Sequence, residues 1–101
     1  MPQPTLQELW AVHRAEPAPD ISGLSVAGVD VAALVAQVSE CVERAAAVPG
    51  RLDYARTGLL RHAYAQLWAV DDAMPVAARD WLDRLRGMTR LILEEATLDL
   101  L

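Results

Sequence analysis

The chain has 101 residues and a formal charge of −5, with nine basic residues, all Arg, against 14 Asp and Glu. That field repels phosphate backbones and anionic lipid, so nucleic acid and membrane surfaces are not expected partners. Hydrophobic residues make up 53% of the chain, a high share for one domain, but Arg, Asp or Glu interrupts every long apolar stretch at helical spacing, which argues against a membrane span.

This length predicts one domain, 1–101, able to bury a core without a disulfide or a structural metal. The absence of Lys, Asn and Phe beside abundant Ala, Val and Arg is the composition of a GC-rich bacterial genome and carries no mechanism. Met1 to Leu9 lacks the basic start and continuous apolar stretch of a signal peptide, which places the protein in the cytoplasm. Cys41, the single cysteine, falls among apolar residues on a helix and is expected to be a buried, inert thiol.

Thr5 to about Ala15 reads as a short helix, with Thr5 as N-cap, Glu8 in capping-box register, and Leu6, Leu9, Trp10 and His13 on one side. It forms an amphipathic arm over 1–15. Residues 16–29 hold Pro, Gly and Ser without clean strand alternation and read as a linker, an ordered or partly mobile connection. The body, 30–97, begins at Asp30, the N-cap of a helix to about Ala47 whose apolar stripe is Val31, Leu34, Val35, Val38, Cys41, Val42 and Ala45. Its polar face carries Gln37, Glu40, Glu43 and Arg44, and Val48-Pro49-Gly50 ends it.

A third helix is predicted from about Leu52 to Val70. The segment Asp71-Asp72-Ala73-Met74-Pro75 then reads as a turn in which Asp72 caps the fourth helix, because two acids at a helix C-terminus oppose its dipole and at the next N-terminus complement it. The fourth helix runs to about Thr97. Its core face is Ala78, Trp81, Leu82, Leu85, Met88, Thr89, Ile92 and Ala96, and Asp80 with Arg84 and Arg90 with Glu94 form outward i,i+4 pairs. Short connections make neighbours antiparallel, so the expected fold is all-α, an antiparallel three-helix bundle with an additional short N-terminal helix.

The third helix carries surplus apolar surface. Leu52, Ala55, Leu59, Ala63, Leu67 and Val70 form the expected core stripe, and Leu60, Tyr64 and Trp68 form a second one beside it. Three outcomes are open for the second stripe: the arm folds back and covers it with Leu6, Leu9 and Trp10, a second copy or another protein covers it, or it stays exposed. Tyr and Trp suit an interface because they bury large area and keep a polar tip. On this reading the protein is a non-enzymatic interaction module, a small regulator, adaptor or accessory subunit that self-associates or docks a partner through helix three and the arm. As a third possibility, its size and acidity fit a partner-stabilised antitoxin or immunity protein, without a residue signature for one.

The alternative is a small-molecule-binding or catalytic bundle with a pocket around Arg56, His62, Gln66 and Thr89, in which Arg56 takes a carboxylate or phosphate. Against it, Arg56 lies near its helix start, where its guanidinium can reach water, Glu40, Glu43 or Asp53, and Thr89 can bond a carbonyl one turn back. No nucleophile stands at a spacing that pairs with His62. His13 and His62 with one Cys give no metal-ligand spacing, and no cofactor is expected. The adjacent acids Asp71-Asp72 and Glu94-Glu95 diverge on a helix and do not converge on one point.

Overall fold

The structure, a computed structural model, describes residues 4–48 and 52–99, with side chains up to residue 95. Among these residues the fold is all-α, with helices α1 (Leu6–Ala15), α2 (Val31–Ala47), α3 (Tyr54–Ala69) and α4 (Val76–Asp99). The expected stop at Pro49-Gly50 and the core position of Ala96 lie outside the described residues and side chains.

Three helices start on side-chain caps. The Thr5 hydroxyl accepts the Glu8 N–H (3.2 Å), the Asp30 carboxylate the Ala33 N–H (3.2 Å), and Asp53 the Arg56 N–H (2.8 Å). Each satisfies one of the orphan amides of a first turn. Asp53 therefore begins α3 two residues later than the expected Leu52. The turn between α3 and α4 is present, as a single 3₁₀ turn over Asp71–Ala73. Asp72 is not its cap, however: α4 begins at Val76 directly after Pro75, and the Asp72 carbonyl accepts from Arg79 Nη2 (3.3 Å).

The segment between α1 and α2 is an ordered connection that contains a short hairpin. The Asp20 carboxylate accepts the Ser22 N–H (3.1 Å), and strands β1 (Ser25–Val26) and β2 (Val29–Asp30) pair antiparallel, with Val26 opposite Val29. Ala27 and Gly28 link them with φ of 51° and 81°, the two positive values that a two-residue type I′ loop requires. Ile21, Leu24, Val26 and Val29 pack half-buried against the core. The sequence shows no strand alternation here because two-residue strands leave none to read.

Helices α2 and α4 pack on each other, and both α1 and α3 pack on this pair. Every predicted stripe residue of α2 is buried, and so is that of α4 from Ala78 to Ile92. On α3 the buried series is Leu60, Ala63 and Leu67, continued by Val70, a spacing of three, four and three residues. The core direction is thus rotated by roughly 40° from the expected stripe, at about 3.6 residues per turn. Leu59 is left 52% exposed, Ala55 is exposed and Leu60 turns inward.

Ala27 is the strained point of the hairpin, because a Cβ in the left-handed region costs roughly 1–2 kcal/mol. Ala27→Asn, which supplies the residue preferred at this position, is expected to raise the unfolding free energy by about 0.5–1 kcal/mol, read as a higher urea midpoint with unchanged slope.

Candidate functional site

Arg86 of α4 is the feature on which the α3–α4 face is built. Its side chain is 5% exposed. Nη1 donates to Asp71 Oδ1 (2.6 Å) and, weakly, to the Leu67 carbonyl (3.5 Å), and Nη2 pairs with Asp83. Leu67 lies in the last turn of α3, where carbonyls lack helical donors and the dipole is negative, so a cation fits there on both counts. The two acids differ in weight. Asp71, 28% exposed, meets the guanidinium in a partly desolvated site, whereas Asp83, at 59%, is screened by water.

The indole of Trp68 covers this group. The Arg86 guanidinium carbon lies 4.3 Å from the Trp68 ring centroid, within cation–π range. Tyr64, one turn earlier on α3, meets Trp68 edge-on at 6.4 Å, a favoured aromatic geometry. Trp68 is nonetheless 56% exposed, and Tyr64 is half-buried. Arg90 of α4 lies near Tyr64 and donates to Glu94 (2.9 Å), and that carboxylate holds the Arg90 proton above its usual range. An exposed Trp68, braced by a half-buried Tyr64, is thus fixed from beneath by a buried cation and bordered by both signs of charge.

The other residues expected at an interface are buried or half-buried. Leu60 is 1% exposed and points into the core, a correction that follows from the rotation of α3. Trp10 is buried, while Leu6 and Leu9 are half-buried against the core. The arm does not cover Tyr64 and Trp68. It packs on α2 and α4, because Trp10 has a closer aromatic match: His13 stacks on Trp10 (5.8 Å between centroids) and meets Trp81 of α4 at 4.5 Å. Arg84 pairs with Glu16 rather than with Asp80, and Arg14 pairs with Glu43 at 3.4 Å, so ion pairs tie α1 to both neighbours.

The four residues of the expected pocket sit in different surroundings. Arg56 pairs with Asp53 and is 38% exposed, His62 is exposed, Gln66 is half-buried, and Thr89 is fully buried with its hydroxyl donating to the Leu85 carbonyl (2.8 Å). The two hydrogen bonds from Arg56 hold the Asp53 carboxyl below its usual range. A groove of about 490 Å³ runs between α1 and α2, but it is lined by Gln7, Trp10, Ala11, Arg14, Glu43 and Ala46 among others and by none of these four. Its small alanines leave the space.

Burial pushes the Cys41 thiol up, away from the reactive thiolate. Among the described residues, no three of His, Cys, Asp or Glu gather as a metal would need. No protein-family model, no curated protein and no solved structure matches the chain.

Sequence reasoning overlooked Arg86. The signal was its direction: four residues after Leu82 and three before Thr89, it lies beside the apolar arc of α4, with Asp71 across the turn as a carboxylate partner outside α4. Arg86→Lys keeps the charge, but a single ammonium cannot reach both acids and also stack on the indole. It is expected to lower the unfolding free energy by about 2 kcal/mol, measured by urea denaturation, and Asp71→Asn is expected to cost more than Asp83→Asn.

Proposed function

We propose that this chain is a helical protein-interaction module that self-associates through Tyr64 and Trp68 of α3 and the adjoining Arg90 and Glu94 of α4. The observation that carries the reading is Trp68: more than half exposed, yet seated on a buried guanidinium and braced by Tyr64. Trp, Tyr and Arg dominate the binding energy of protein interfaces, and a ring already held in place loses little conformational entropy on docking. Leu60 faces the core, and Leu6, Leu9 and Trp10 belong to α1, which packs on α2 and α4, so the proposed surface does not include these four.

The border favours a second copy. A two-fold interface sets one patch against itself, so a patch edged by Arg90 and Glu94 can place each beside the opposite charge of its partner. The net charge of −5 disfavours nucleic acid, and among the described residues no helix is long and apolar enough to cross a membrane. A lone, buried cysteine suits a reducing compartment, in line with a cytoplasmic protein.

Sedimentation equilibrium from about 1 to 100 μM tests the proposal. The wild type is expected to approach twice the chain mass, and Trp68→Ala to weaken association at least about tenfold, ~1.4 kcal/mol. The fold should lose only the cation–π contribution of about 0.5–1 kcal/mol. A wild type that stays monomeric throughout, or a Trp68→Ala variant that dimerises equally well, would overturn it.

A further inference from the structure

We propose that His13 is an acid-sensitive latch, which in its neutral form holds α1 on the α2–α4 pair and on protonation releases it. The imidazole is 4% exposed and lies between the rings of Trp10, on its own helix, and Trp81 of α4. Neither of its nitrogens has a hydrogen-bond partner, and the same holds for the indole N–H groups of Trp10 and Trp81. A neutral imidazole already leaves one donor and one acceptor unmet at this site. The imidazolium would leave two donors and a full charge unmet, a far larger loss of hydration.

The charged groups around the ring do not compensate. Arg84 of α4 opposes a second cation, and Glu16, which favours one, is already engaged by Arg84. On the α2 side Glu43 is paired with Arg14. The two indole faces attract a cation, but burial, reinforced by Arg84, holds His13 below its ordinary value of 6.5.

The sign of the effect follows. Well above pH 6.5 both docked and released α1 carry a neutral His13, and docking is at full strength. As pH falls through that value the released arm takes up the proton first, and docking weakens by up to about tenfold per pH unit. The weakening ends once the docked His13 is itself protonated.

Release of α1 need not unfold the remainder. Val38, Val42, Leu60, Leu67, Leu82 and Leu85 are almost completely buried and none of them lies on α1, and α2, α3 and α4 each pack on the other two. A ten-residue helix does not persist alone in water, so undocking and unwinding of α1 are one local event. That event uncovers Trp81 and the α1-facing alanines of α2, which makes acid exposure the trigger for a new apolar surface.

Amide hydrogen exchange of the full chain at about pH 7.5 and 5.5, corrected for the intrinsic rate, tests the latch. The expected result is a loss of α1 protection of up to about tenfold per unit below pH 6.5 while α3 and α4 amides keep theirs. His13→Phe and His13→Leu, apolar replacements that cannot take a proton, should abolish the pH dependence. His62→Gln, at an exposed site, should retain it. PH-independent protection of α1 in the wild type, an undiminished pH dependence in both His13 variants, or simultaneous loss from α1 and α4 would overturn the proposal.

Discussion

A guanidinium with almost no access to water must find its hydrogen bonds inside the fold, and the geometry of the α3–α4 face follows from that requirement at Arg86. Asp71 has to lie on the turn after α3, the last carbonyls of α3 have to point toward α4, and a flat apolar group has to seal the cation from above. Breaking one partner of a buried ion pair costs more than the pair is worth, because the remaining charge is stranded. The 3₁₀ turn over Asp71–Ala73 is accordingly held as part of a network rather than as a loose connection.

The same constraint explains how α3 carries apolar residues in several directions. Leu60, Ala63 and Leu67 fill the core against α2 and α4, and Trp68 is drawn to the adjacent side by the cation beneath it. The ring's outer face is left in water, where its further burial would be worth roughly 1.5–3 kcal/mol for a large side chain. Stability of the monomer and availability of the interface therefore rest on the same contact. The arm is attached by different physics, an aromatic stack around an unpartnered histidine and two exposed ion pairs, which makes it separable from the remainder.

Much of the fold was legible in the sequence where a single local rule decided the outcome. Thr5 and Asp30 cap the helices that follow them, the stripes of α2 and of α4 up to Ile92 are buried, and the two acids after α3 mark a break. The errors fall where two local readings compete. With apolar residues on both sides of α3, periodicity alone could not choose between Leu59 and Leu60, and the packing of two neighbours chose Leu60. The hairpin escaped because Ala27-Gly28 lacks the Asn or Asp that announces a type I′ loop. Arg86 escaped because a charge beside an apolar arc reads as an exposed side chain unless its partner across the turn, Asp71, is known. Trp68 was identified as surplus surface, but not the cation that holds it.

That Trp68 is exposed and yet fixed is the centre of the account, and the most direct measurement is the NMR order parameter of its indole N–H in the isolated wild-type chain. A ring seated on Arg86 and braced by Tyr64 predicts a value of about 0.8 or above, comparable to rigid backbone. A value below about 0.6 would describe a freely reorienting side chain and would contradict the account.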